Sequence, residues 1–418
     1  MRFFSYRNII NKIFRLQLIS IGRMEVSIHV ILIFILAFLG SLAFRLSLPA
    51  IAFYSRIELE ASALFIGLLT SIFFIARALS AILSGKLTDK YKHKIIYLVS
   101  ASFLIHSLVI YLYWYTTDIS QVLILRFFQG CLNGLAWIPI QSLLGIIVKP
   151  SIRARVYAIY FMLGAMGVMT GNLIYSFMAN YPLIYILSLS SIFLILSSVM
   201  AFMIKPGIVG ITVKGRSEKV YGKISLEFSI LLLLAIVFST GMFNSIVRGD
   251  LIYIYMKEGL NLSKASVAQY IAIASLIGLV IGYAISWIAD KLGSLLSLRI
   301  ATIILLSGSL TLSILINWAS FIALTLVYVG TSSIVPIARK IGVGYKGVEA
   351  TLIGLINALA NVGNVIGSAL AGYLYDIIPN YIEILSMKIS LLIPIMAIPI
   401  VIAVILIMIP SKVLAWES

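Results

Sequence analysis

Four arginines and one aspartate interrupt stretches that are otherwise apolar for about 20 residues at a time: Arg45, Arg77, Arg126, Arg248 and Asp250. Each charge placed inside a bilayer costs roughly 3 kcal/mol on insertion scales, so four arginines amount to about 10 kcal/mol that a passive span has no reason to carry. Arg248 and Asp250 are two residues apart, so on a helix they point to different faces and do not pair within it. A guanidinium is a planar fork that grips a carboxylate or phosphate through two parallel hydrogen bonds. One carboxylate against four such forks leaves surplus positive charge, which suits an anion. Snorkelling or carbonyl contacts are the alternative for Arg77. A carboxylate that is alternately desolvated and exposed can load and release a proton, which makes Asp250 the coupling candidate; the alternative is a fixed ion pair with a neighbouring helix. His106 and His29 are the other titratable groups in or beside the spans, and His106 on an apolar face suits a core role.

The elements that position these residues follow from composition. The 418 residues are 62% hydrophobic and 11% charged, with a mean hydropathy of +1.12, a balance that leaves too little polar surface for a soluble globule. The apolar runs are long and unalternating, which predicts membrane-spanning helices and excludes a barrel. The fold class expected is therefore an all-α integral membrane protein. Cys131 is the single cysteine, so no intrachain disulfide and no cysteine-based metal cluster can form. The net charge of +17 would suit nucleic acid in a soluble protein, but here basic residues sit in short connections beside apolar spans and report topology. The sequence contains no G-x-x-x-x-G-K, H-E-x-x-H or G-x-S-x-G pattern and only three histidines, so the expectation is a protein that is not an enzyme and uses no cofactor or metal.

Twelve spans are predicted. Six occupy 28–54, 63–83, 95–115, 122–148, 156–178 and 183–204; six more occupy 228–256, 266–288, 298–316, 320–337, 350–375 and 389–409. The organisation expected is a basic amphipathic segment over 1–27, a six-helix bundle over 28–204, a polar linker over 205–227, a second bundle over 228–409 and a tail over 410–418. Of the 31 lysines and arginines, 23 fall on the termini and alternate connections, whereas the other connections hold Arg56, Lys257, Lys264 and Lys388. Basic residues accumulate on the cytoplasmic side, so both termini are expected there.

The two sets of spans repeat. Asp89 and Asp290 are 201 residues apart, Pro139 and Pro336 197, Gly167 and Gly363 196, Gly171 and Gly367 196, Arg45 and Arg248 203. The charged stretch from Gly85 through Asp89 and Lys90 to Lys94, with its second copy at Asp290 and Lys291, resembles the loop between helices two and three in each half of the major facilitator superfamily, written G-x-L-A-D-R-x-G-R-R. Lys92 and His93 depart from that pattern. Arg126-Phe127-Phe128-Gln129-Gly130 through Gly134 resembles the superfamily's fourth-helix motif R-x-x-Q-G-x-G. Arg126, Gln129, Asn133, Trp137 and Gln141 then form one polar stripe on an apolar helix. The fifth helix has Gly167 and Gly171 without the proline of the antiporter branches.

This resemblance implies two six-helix halves related by an axis along the membrane normal and a secondary transporter working by alternating access. In superfamily members that carry organic anions, arginines on helices one and seven face each other across the central cavity, as Arg45 and Arg248 would here. The expected site joins Arg45, Arg126, Arg248, Gln129, Asn133, Asn357 and Asn361 for the solute, Asp250 for the proton, and Gly85, Asp89, Lys90, Asp290 and Lys291 as gating loops. Expected partners are a small anionic organic solute and the lipid bilayer, with no nucleic acid, in a monomer of the cell membrane. A polyspecific exporter of lipophilic compounds is the alternative, and a non-transporting membrane sensor a more distant one.

Overall fold

A computed structural model of the chain describes residues 19–21, 24–91, 94–148, 152–204, 228–343, 345, 349–379, 381–384 and 387–408. The helices are α1 (Ile28–Ile57), α2 (Ala63–Lys90), α3 (Ile95–Leu112), α4 (Ile119–Ile147), α5 (Arg153–Met178), α6 (Leu183–Phe202), α7 (Phe228–Arg248), α8 (Leu251–Leu260), α9 (Lys264–Leu292), α10 (Ser294–Leu312), α11 (Asn317–Val343), α12 (Glu349–Ile377) and α13 (Leu392–Ile407). Eleven helices among the described residues are long and apolar enough to cross a membrane; α13, with 16 residues, is shorter. A helix satisfies its own backbone polar groups, which is why unalternating apolar sequence takes this form. Short polar residues mark the starts. Asp118 accepts the Ser120 N–H at 2.7 Å ahead of α4, and Ser263 accepts the Ser266 N–H at 3.1 Å ahead of α9.

Three expectations are corrected. The seventh span, expected continuous over 228–256, breaks at Gly249 and Asp250 into α7 and α8. The cause is a close crossing: a Cβ on Gly249 would lie 2.7 Å from the Thr70 hydroxyl, and the Asp250 N–H turns aside to donate to that hydroxyl at 2.9 Å. The charged stretches are not loops through their whole length, because α2 runs through Lys90 and α9 through Leu292, so Gly85, Asp89, Lys90, Asp290 and Lys291 lie in final helical turns. Of the segment 1–27, residues 1–18, which carry the amphipathic pattern, lie outside the described residues, and β1 (Ile19–Ile21) pairs antiparallel with β2 (Met24–Val26). The last helix starts at Leu392 rather than 389, since the chain before it is held extended. There β3 (Ile382–Ile384) pairs with β4 (Met387–Ile389), and Ser390 donates to the Ser313 carbonyl at 2.8 Å. The linker 205–227 and the tail 410–418 also lie outside the described residues.

Packing follows the repeat. Helix α1 packs on α5 and α6, α2 on α4, and α3 on α6; in the second set α7 packs on α12, α9 on α11, and α10 on α11 and α13. The glycine pairs set the closest approaches. A Cβ on Gly167 or Gly171 would lie 2.2 Å from the Phe38 carbonyl or 2.4 Å from that of Leu42, and one on Gly363 or Gly367 2.4 Å from Phe238 or 2.3 Å from Met242. The α5–α1 and α12–α7 contacts are thus the same backbone-to-backbone contact repeated 196 to 200 residues along the chain. The most extensive contacts between the sets are α2 with α12 and α5 with α9, and the short α8 adds contacts to α1 and α2.

Candidate functional site

The centre of the bundle is a charged network spread over three helices. Arg126, 1% exposed on α4, donates from Nη2 to both carboxylate oxygens of Asp250 at 2.8 and 2.7 Å. Its Nη1 donates to Gln129 Oε1 at 2.8 Å, which also accepts from the Tyr113 hydroxyl at 3.1 Å. Phe44 and Phe73 flank the guanidinium with ring centroids 5.7 and 5.3 Å from Cζ. Asp250 is wholly buried at the break between α7 and α8, where the Thr70 hydroxyl donates to it at 2.6 Å. A buried ion pair offsets its desolvation only when geometry and remaining hydrogen bonds are good, and here both conditions hold.

A cavity of about 540 Å³ extends from Thr70 and Asp250 past Trp137 to Gln141 and Tyr160. All four arginines line it, and Asp250 is its one lining carboxylate among the described residues. Arg248 donates to the Ser332 hydroxyl at 2.8 Å and lies over the Tyr328 ring at 5.1 Å, while its buried Nε has no hydrogen-bond partner among the described residues. Arg45, 9% exposed, has a buried Nη1 that likewise has none. Tyr328 lies within electrostatic reach of both guanidiniums. The arrangement can neutralise and hold an anion without further proton chemistry, because each fork keeps an unused donor.

The expected site residues divide. Arg45, Arg126, Arg248, Asn133 and Asp250 line the one cavity. Gln129 lies behind the wall and positions Arg126. Asn357 and Asn361 are not in the cavity wall: Asn357 accepts from Arg339 at 2.7 Å, and on their helix it is Asn364 that turns toward α7, accepting from Asn244 at 3.2 Å. His106 is buried away from the cavity. At Gly85 an added Cβ would meet nothing, Lys291 lies over the Trp287 ring at 3.9 Å, and the side chains of Asp89 and Asp290 lie outside the described residues.

Thr70 and the ring pair Phe44 and Phe73 were not foreseen, since a single hydroxyl or ring in an apolar run has no periodic signal. Nor was the seal beyond the network. Arg56 on α1 donates to Glu258 on α8 at 2.7 and 3.2 Å, and Tyr375 on α12 donates to the same carboxylate at 2.9 Å. The carboxylate of Asp376, also on α12, accepts the N–H groups of Ala63 and Leu64 at 2.8 Å each, capping the N-terminus of α2 from another helix. The Ser71 hydroxyl donates to the Val365 carbonyl at 2.8 Å between the same two helices. These bonds run from the level of Asp250 to the Arg56 end of the bundle.

The sequence matches the profile of the Major Facilitator Superfamily over residues 33–345, three quarters of its length. The chain belongs to that superfamily. Its fold is similar to a bacterial homologue of the human lysosomal transporter Spinster in an inward-facing, occupied conformation, with a TM-score of 0.65 and 14% identity, over 83% of this chain and 81% of that one. The nucleoside transporter NupG aligns with a TM-score of 0.68 at 12% identity over 93% of this chain and 99% of that one. No curated protein sequence matches the chain. As a superfamily member it is a multi-pass membrane transporter, and at these identities the two neighbours establish the shared fold.

Proposed function

We propose that the chain is a secondary transporter that moves a small organic anion by alternating access, holding it between Arg45 and Arg248. The charge balance of the cavity carries this reading: four arginines against one carboxylate, with that carboxylate already held by Arg126. A passive core would bear such a surplus at a cost of several kcal/mol per charge with nothing to offset it. Rocking of the halves 28–204 and 228–409 about this site, joined by the linker 205–227, would expose it to each side in turn. With the basic connections inside, both termini are cytoplasmic, α13 is a twelfth span, and the Arg56 end is the outer one, so the arrangement described is closed to the outside. The protein would act as a monomer in the cell membrane. Asp250 carries the coupling proton in this reading: protonation removes the ion pair that ties α4 to the α7–α8 break, releasing one half from the other.

The aromatic wall, with Phe44, Phe73, Phe74, Trp137 and Phe161, favours a second reading as an exporter of lipophilic compounds. Replacing the forks by point charges separates the two. Arg45→Lys and Arg248→Lys should each weaken binding of an accepted anion by about 1.5 to 3 kcal/mol, and the double replacement by less than the sum if both hold one group. The measurement is ligand-induced thermal stabilisation of the purified protein by carboxylates, phosphate esters and lipophilic cations, followed by uptake into proteoliposomes. Unaltered transport of every accepted compound by both variants would remove the anion reading.

A further inference from the structure

Arg77 has no place in the clamp, and its position gives it another. On α2 it stands seven residues from Thr70, the residue that marks the level of Asp250, so the two differ by about 10 Å along the helix axis. Arg45 and Arg248 act on each other and on Tyr328, whereas the electrostatic neighbour of Arg77 is Tyr160, at the far reach of the cavity. Asn133 lines the same cavity, and its helix meets α2 at this level: a Cβ on the next residue, Gly134, would lie 2.8 Å from the Arg77 carbonyl. Between the two ends α2 presents Phe73 and Phe74, and Phe161 lines the cavity against the Tyr160 ring. The cavity therefore has two cationic points separated by an apolar stretch, and no carboxylate among the described lining residues serves the second.

We propose that the cavity selects an elongated organic dianion whose two acidic groups are separated by a planar apolar body, one group clamped by Arg45 and Arg248 and the other met by Arg77 with Asn133. This rests on the anion reading above and names the class of anion. A ligand of this shape places each charge against a guanidinium and lays its body along the rings, whereas a monoanion leaves the half-buried Arg77 unanswered. A lipophilic monocarboxylate uses the same wall without the second contact.

Binding of three probes to the purified protein, by calorimetry, tests it: biphenyl monocarboxylate, the para-para dicarboxylate of the same body, and terephthalate, which is one ring shorter. The long dianion is expected to bind at least about tenfold more tightly than either of the others, or about 1.4 kcal/mol. In Arg77→Gln the ratio of long dianion to monoanion should fall to about twofold or less, and in Arg77→Lys, which restores the charge, it should recover most of its value. Equal binding of the long dianion and the monoanion by the unaltered protein would overturn the two-point site while leaving the anion clamp standing. A preference that survives in Arg77→Gln would overturn the role of Arg77. Binding of none of the three, nor of carboxylates and phosphate esters generally, would overturn the clamp itself and the inference with it.

Discussion

Breaking the Arg126–Asp250 pair from one side should cost far more than removing it whole. Arg126 is 1% exposed and Asp250 is fully buried, so Asp250→Asn leaves a guanidinium with its charge uncompensated between two phenyl rings. For a pair of this kind the loss of one partner costs about 3 to 5 kcal/mol, much of it the desolvation of the charge left behind, and Arg126→Met should cost a similar amount by stranding the carboxylate. Asp250 keeps the Thr70 hydroxyl as a donor in that second case, which places it at the lower end of the range. The double replacement removes both charges and should cost less than the sum of the singles by about 2 to 3 kcal/mol. Denaturant unfolding of the four proteins in mixed micelles, followed by tryptophan fluorescence, gives the cycle. Additive costs, or singles under about 1 kcal/mol, would refute the claim that this pair is the desolvated link between the two sets of helices.

Thr70→Val should cost about 1 to 3 kcal/mol in the same assay, because it strips a donor from Asp250 and an acceptor from the Asp250 N–H at once. Asp376→Ala removes the cap on α2 and should shift the balance toward opening at the Arg56 end by about 1 kcal/mol, a roughly fivefold change read as faster labelling of a cysteine placed at Leu64; unchanged labelling would show that the cap does not hold that end. Asp250→Asn should abolish uptake driven by a pH gradient yet leave exchange between equal solute pools, since exchange needs no net proton movement. Loss of both would assign Asp250 to binding or structure alone.

Much of this architecture was legible because a bilayer leaves few choices: apolar runs of span length must be helices. The break in the seventh span was not. Phe228 to Met256 reads as one apolar run, and Gly249 alone is no reason to end it; the break arises from the crossing with Thr70, a tertiary contact with no trace in local sequence. The surroundings of the asparagine stripe were not legible for a related reason: Asn357, Asn361 and Asn364 share one helix face, and only packing decides that Asn364 meets α7 while Asn357 accepts from Arg339.

The repeat, in contrast, held more information than motif matching takes from it. In a protein built from two equivalent halves, residues near the axis face their own counterparts, so a separation close to the repeat length predicts contact as well as equivalence. Arg56 and Glu258 are 202 residues apart and form an ion pair; Arg45 and Arg248 are 203 apart and share Tyr328. At the first pair the two halves carry opposite charges that bond across the axis. At the second both carry arginine, and two like charges at one axis are stable only with an anion or an equivalent density of donors and rings between them. On the anion reading proposed above, like signs at Arg45 and Arg248 against opposed signs at Arg56 and Glu258 are what separate a binding position from a latch along the same axis.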